Sequence, residues 1–429
     1  MTIFGLLWMT LILISMLLPN LNAMIVLTLL SSTIQCSNVI VLGGTGIGPQ
    51  IITSAAFLIK MLFYKKNRKI RIRHDVLAIQ LGVILVFTMV LVSSCANNTL
   101  GMNILRIMQL LIYILCFLAM YSAGENVDIE FVYNTLRKMT IFLLVIGIIQ
   151  ICITTGFFPR LSIFQAILYN DNLSDVIYFT RNNYFRILST YMEPSYYAGF
   201  LVGAFYYFLS YKEKRQENLF LLAFILFEII FTFSSTAYGA FALTGIIFFA
   251  SSREGKLKIY VLVGGIIGLL VMYFGFHDVL DKVIFSKMES GSGIARHYWN
   301  IAAQNVFMSS PIYGTGYKTS RASSLFYTLL AEMGILGFIS YAYTNLQIIL
   351  PVFLKKRRER WTQEYIGICL AVFSVVICQM IAVPDLDICT YWMWMNFLAL
   401  IYSTDKRKKT EERTNAKTQN LQTMVAGYR

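Results

Sequence analysis

Apolar runs long enough to cross a bilayer follow one another along most of this sequence, and each large basic cluster directly follows one of them. A helix that crosses the hydrocarbon layer takes roughly 20 mostly apolar residues, and the chain divides into about 13 such runs. They fall near 3–19, 22–42, 47–64, 76–95, 102–123, 138–157, 194–211, 218–234, 236–252, 258–275, 324–353, 365–383 and 388–403. With no water to satisfy bare backbone groups, a chain like this has helices as its way across. The expected class is therefore an all-α polytopic integral membrane protein with about 12–14 transmembrane helices.

Composition agrees. The chain is 57% hydrophobic and 14% charged, against about 25% charged in soluble domains. The net charge of +14 would suit nucleic acid if it formed one patch, but its placement excludes that reading. Lys65, Lys66, Arg68, Lys69, Arg71 and Arg73 follow one run. Lys355, Lys356, Arg357, Arg358 and Arg360 follow another, and Lys406 to Lys409 open the tail. This is the pattern of cytoplasmic loops. It predicts a transmembrane domain over 1–403, a cytoplasmic and disordered basic tail over 404–429, and two long extracytoplasmic segments near 158–193 and 276–323. The first run has no basic stretch before it and no clear cleavage site, so it reads as a retained helix, with the N-terminus outside if the span count is odd.

Several features read blandly. The seven Cys lie mostly inside apolar runs and none form Cys-x-x-Cys, so they behave as small hydrophobes. Gly43 to Gly48 lacks the Lys-Ser/Thr of a phosphate loop and reads as a hairpin between spans. Gly264 and Gly268 suit close helix packing. Asn97 and Asn172 head acceptor sequons that matter only in a eukaryotic secretory context. Asp385 and Asp387 form an acidic hairpin tip, read as a solvated turn ahead of a functional pair.

The long outer segments hold the unusual residues: Arg160, Arg181, Arg186, Lys282, Lys287, Arg296, Lys318 and Arg321. Arginine near hydrocarbon faces a partner or a wet cavity, and its planar fork matches phosphate. The stretch RILSTYMEPSYYAGF, Arg186 to Phe200, places Pro194 at a helix start and Glu193 at its cap. Arg186 would share a face with Glu193 if that segment were helical.

Three blocks together resemble the O-antigen polymerase (Wzy-type) family of oligosaccharide repeat-unit polymerases. They are Arg186 with Glu193-Pro194-Ser195, then Arg296, Trp299 and Pro311-x-x-Gly314-x-Gly316, then Ala331-Glu332-x-Gly334-Ile335-Leu336-Gly337. Thr232 to Tyr238, with Ser234-Ser235, stands where the family often has Thr-x-Ser-Arg, and the Arg is absent. The hydropathic architecture matches over roughly 1–403, and the motifs cover about 60 residues. The sister branch, the O-antigen ligases, usually carries His-Asn ahead of the Glu-x-Gly span. Here that region reads Arg321-Ala322-Ser323-Ser324.

The resemblance implies a metal-independent glycosyltransferase that needs no cofactor and works on the outer face of the bacterial cytoplasmic membrane. It joins lipid-linked repeat units, carried on undecaprenyl pyrophosphate, into O-antigen, capsule or exopolysaccharide. Its partners would be that substrate, membrane lipids, a chain-length regulator and a flippase, and not nucleic acid. Physics then suggests roles. Arginines aimed at the leaving diphosphate stabilise its charge, with Arg186 and Arg296 first and Arg321 and Lys318 next. A carboxylate in reach of the accepting hydroxyl serves as general base, with Glu193 first and His297 second. Tyr196, Tyr197, Tyr298 and Trp299 offer sugar-stacking faces or interfacial anchors. A ligase-type transferase and a transporter or flippase of lipid-linked glycans are the rival readings. Transporters keep polar residues at mid-membrane and at broken helices, whereas the spans here read as nearly free of charge.

Overall fold

Residues 1–42, 45–64, 76–157, 168, 180–181, 184–251, 291–354 and 361–404 are described by the computed structural model. Most of the three basic clusters' surroundings, the run near 258–275 with Gly264 and Gly268, Asn172, Arg160, Lys282, Lys287 and the tail lie outside the described residues. The side chain of Arg181 does too.

The apolar runs fold as helices, as their composition requires where the backbone must bond to itself. The helices are α1 (Ile3–Leu17), α2 (Asn22–Ser31), α3 (Pro49–Phe63), α4 (Leu77–Ala96), α5 (Ile104–Ala123), α6 (Ile129–Thr154) and α7 (Pro194–Ser210). They continue as α8 (Leu219–Phe231), α9 (Ser235–Ser251), α10 (Gly291–Ser309), α11 (Leu325–Phe353), α12 (Gln363–Ala382) and α13 (389–404). Two short antiparallel pairs add to them: β1 (Ile40–Leu42) with β2 (Thr45–Ile47), and β3 (Thr180–Arg181) with β4 (Tyr184–Phe185). Among the described residues, five helices, α4, α5, α6, α11 and α12, are long and apolar enough to cross a membrane. The chain is an all-α polytopic membrane protein.

Two runs differ from expectation. The run at 22–42 stops being helical at Ser31, where Ser31, Ser32 and Thr33 turn their hydroxyls onto carbonyls of the preceding turn. Such side chains compete with the helical ladder. The buried segment after them leads into β1. Of the stretch read as a hairpin at 43–48, Thr45–Ile47 forms β2 and pairs antiparallel with β1, while Gly43 and Gly44 lie outside the described residues. Helix α6 starts at Ile129 rather than near 138, because its first turns are fastened outside the apolar stretch. Glu130 pairs with Lys214, and the Tyr133 hydroxyl donates to Asn218 Oδ1 at 2.7 Å.

The core lies where α7, α12 and α13 meet. Most of their residues are buried, the mark of helices surrounded by protein on all sides. Trp394 stacks on Phe200 with centroids 5.7 Å apart and lies over Gly203, where any Cβ would meet its ring. A buried cation closes the end of α1. Lys60 Nζ donates to the carbonyls of Ser15, Leu18 and Asn20 at 2.5, 3.0 and 2.6 Å, satisfying acceptors that a helix end leaves open.

The bundle has two distinguishable ends. At one, Ser403 bonds to the Tyr121 carbonyl, Trp361 stacks on Tyr365 and packs beside Tyr402, and Glu130 meets Lys214. The chain runs from this end directly into the basic clusters after 354 and 404. At the other, the turns near 97, 193, 316, 321 and 385 come together. That second end holds the site described next.

Candidate functional site

The stretch from Arg186 to Glu193 is the first part of the site, and it is not helical. Ser189 takes a left-handed conformation, φ 52°. Irregular backbone among apolar helices must find partners for its polar groups, and this segment finds them on five neighbouring residues. Ile187 N–H donates to the Phe231 carbonyl at 3.1 Å. Leu188 and Ser189 N–H share Gln150 Oε1 at 3.2 and 3.1 Å. The Ser189 hydroxyl bonds the Leu143 carbonyl at 2.8 Å, and the Thr190 hydroxyl the Thr33 carbonyl at 2.6 Å. Arg186 Nε donates to the Thr232 carbonyl at 2.9 Å. The extended backbone replaces the helical spacing on which a shared face for Arg186 and Glu193 rested. Pro194 then starts α7 with Glu193 as its cap residue, as expected, but the Glu193 side chain makes no capping bond. It stands exposed and accepts from the Ser195 hydroxyl at 3.2 Å.

The second part is a break in α11. Gly334 has φ 64° and ψ −166°, a region open essentially to glycine. The loop at 311–316 lies across the break and satisfies it. Thr315 N–H donates to the Ala331 carbonyl and Gly316 N–H to the Glu332 carbonyl, both at 3.0 Å. Ile335 N–H donates to the Pro311 carbonyl at 2.9 Å. The crossing is so close that a Cβ on Gly334 would run into Ile312 and one on Gly314 into Glu332. Helix α4 adds Asn97 Nδ2, 3.0 Å from the Gly314 carbonyl, and the Ser94 hydroxyl, which accepts from Tyr317 N–H at 3.2 Å.

This loop delivers Lys318, itself in the left-handed region at φ 60°. Its ammonium bridges Asp385 at 2.6 Å and Asp387 at 2.8 Å. Burial alone would push the Lys318 ammonium down; Asp387 and Asp385 reverse this and hold it above the usual lysine range. The Glu332 carboxyl faces the same group. Beneath lies Tyr317, fully buried, its hydroxyl without a hydrogen-bond partner among the described residues and in the field of Asp387, Glu332 and Asp385. Burial first, then these carboxylates, raises that hydroxyl well above its usual value. The hairpin tip at 385–387 is therefore a correction to the solvated-turn reading. Asp387 keeps 6% side-chain exposure, and both carboxylates are engaged by Lys318.

Arg321 completes the arrangement. Its guanidinium lies 5.5 Å from the centre of the Trp299 ring, a cation–π pair. One residue on, Asn300 Oδ1 accepts from the Ser323 N–H and hydroxyl at 3.1 and 2.9 Å. Helix α10 is thereby keyed to the 321–323 segment, with Arg296 one turn earlier on the same face. Tyr196, in the first turn of α7, is within electrostatic reach of Glu193, Asp385 and Arg321. One end of the bundle thus joins Glu193, Tyr196, Arg321, Trp299, Lys318 and Asp385.

The residues singled out from sequence divide accordingly. Glu193, Tyr196, Arg321, Trp299 and Lys318 come together, though Lys318 is engaged by carboxylates. Arg186 is buried and tied to the backbone of 232. Arg296 is half-buried on α10, while His297 and Tyr298 stand exposed, their ring centres 6.2 Å apart. Tyr197 is a correction: it is fully buried and its hydroxyl donates to Glu228, so its ring offers no sugar a face. Asp385, Asp387 and Tyr317 join the site without having been chosen. The available signal was Pro-Asp-Leu-Asp between two apolar runs, at the end where Lys318 and Arg321 also fall. No family model, curated protein or solved structure matches this chain.

Proposed function

We propose that the chain is a polymerase that joins lipid-linked oligosaccharide repeat units into a surface polysaccharide, at the outer interface of a bacterial cytoplasmic membrane. The observation that carries the reading is the junction of Glu193, Tyr196, Arg321 and Trp299 at the end of the bundle away from the basic clusters. An exposed carboxylate and a fork-shaped cation, both within electrostatic reach of Tyr196, suit transfer from a sugar diphosphate. Glu193 takes the proton of the accepting hydroxyl as that oxygen bonds to the anomeric carbon. The bond from that carbon to the diphosphate breaks, and Arg321, with Arg296 on the neighbouring helix face, balances the negative charge on the departing lipid diphosphate.

The transporter reading draws on two observations. Glu228, Glu332 and Lys60 are charged residues buried within helices, and α11 is broken. Depth favours the enzyme. A span of roughly 20 residues counted back from Phe353 reaches Gly334, which puts the break at the outer edge of the hydrocarbon rather than at its centre.

Purified chain in liposomes, given undecaprenyl diphosphate carrying one repeat unit and no nucleotide sugar, should form ladders of polymer. Glu193→Gln, which keeps shape but loses basicity, should lower the rate by about 10²–10⁴-fold with normal protein abundance. Movement of the lipid between leaflets without joining would support the transporter instead.

A further inference from the structure

Asp385 and Asp387 hold the same ammonium but differ in what else they can do. Asp387 keeps 6% of its side-chain surface, so it is spent on Lys318. Asp385 keeps 40%, with Oδ1 on Lys318. Its backbone is fixed as well. The Asp385 carbonyl accepts from Gln379 Nε2 at 3.1 Å, and Gln379 Oε1 accepts from the Tyr341 hydroxyl at 2.8 Å. Lys318 comes to this contact from a left-handed conformation, φ 60°, which is unfavourable for a side-chain-bearing residue and which the surroundings must therefore enforce. The result is a half-exposed carboxylate fixed in place beside a fixed ammonium.

Two neighbours point this pair toward a ligand. Tyr196 stands within electrostatic reach of Asp385, Glu193 and Arg321. The Tyr317 ring lies 5.6 Å from the Lys318 ammonium, its buried hydroxyl without a hydrogen-bond partner among the described residues. The 40% exposed Asp385 carboxylate, with the Lys318 ammonium at 2.6 Å, presents a hydrogen-bond acceptor beside a cation, which matches hydroxyls on a sugar ring. A fixed group loses little freedom when it binds.

We propose that Asp385, held by Lys318, is a sugar-binding residue that accepts hydrogen bonds from ring hydroxyls of the saccharide whose free hydroxyl Glu193 activates. The inference rests on the polymerase reading for the identity of the ligand, and on the geometry above for the residue. A purely structural ion pair fastening the 316–321 turn to the 384–387 hairpin is the competing account.

Binding separates the two, independently of turnover. The probes are undecaprenyl diphosphate bearing a hexose trisaccharide and undecaprenyl diphosphate alone, titrated into the full-length chain in detergent. Asp385→Ala should weaken the sugar-bearing lipid by about tenfold or more and leave the bare lipid within twofold. Asp385→Asn should show the same selectivity, smaller in size, and decides the matter if the Ala variant is not recovered from membranes. Replacing all three charges, Lys318→Met with Asp385→Asn and Asp387→Asn, should not restore sugar-dependent binding. Restoration would overturn the proposal, because a structural ion pair replaced on both sides is close to neutral. Equal weakening of both probes, or of neither, would overturn it too. A wild-type chain that distinguishes the two probes through Asp385 yet forms no polymer would leave this inference standing and refute the polymerase reading.

Discussion

The Ser93 hydroxyl lies 2.6 Å from the carbonyl oxygen of Glu332 and donates to it, from α4 into the interrupted turn of α11. The same carbonyl accepts from Gly316 N–H at 3.0 Å. One oxygen thus joins two helices and a loop. Ser93→Ala removes one of its two donors and should lower stability by about 1 kcal/mol. Ser93→Thr keeps the hydroxyl and should fall between the two. Thermal unfolding in detergent checks both.

Gly334→Ala should be far more damaging. Its backbone lies in a region that costs a non-glycine residue about 1–3 kcal/mol, and the added carbon would strike the Ile312 carbonyl. The expected outcome is little folded protein in the membrane. Gly101→Ala is the control, since nothing lies within 4 Å of a Cβ there and its φ is not positive. It should leave yield unchanged.

Much of this was readable from sequence, and the parts that were not share a cause. Pro194 and Glu193 announced the start of α7 because helix starts obey local rules. The ends of α4, α5, α9 and α12 lie within about two residues of the hydropathic boundaries, as the solvent change at a bilayer surface would impose. The break at Gly334 depends on the 311–316 loop lying across it, a contact made far from where either segment's own composition can signal it. Asp385 was passed over for the same reason. Its partner Lys318 is 67 residues away, and without that partner an acidic turn looks solvated. Tyr197 misled because its neighbour Tyr196 faces the site while Tyr197, turned by one helical step, points to Glu228.

Tyr197→Phe should reveal that buried carboxyl. Tyr197 donates its hydroxyl to Glu228, inside the bundle and beside Gly147, where any Cβ would meet the carboxyl. Losing the donor leaves a buried acid short of a partner, at a cost of about 1–3 kcal/mol. Glu228→Gln keeps an acceptor for Tyr197 and should cost less. A larger loss for Gln than for Phe at the other partner would mean that the negative charge itself is used.

The Lys318 contact carries its own pH signature. Its ammonium is raised above the ordinary 10.5 by two carboxylates that outweigh the opposing effect of burial. A raised value in the folded state gives stability that is fully present below about 10.5 and lost as pH climbs through the folded value. The stability gap between the wild type and Lys318→Met should therefore be level from about pH 6 to 9 and close only in stronger alkali. A gap that already closes near neutrality would show that the ammonium is not held as described.

The Lys318–Asp385 contact also sets an order for assembly. Asp385 and Asp387 lie between α12 and α13, so their position is fixed only when the last described helix has entered the bundle. Until then Lys318 lacks the two carboxylates that bridge it, and the loop closing the break in α11 lacks that tie to the 384–387 hairpin. A chain halted before α13 would carry Glu193, Arg321 and Trp299 in full and still lack the clamp that fixes them relative to one another. The geometry of this end of the bundle is therefore a property that arrives with α13, not one that accumulates along the way.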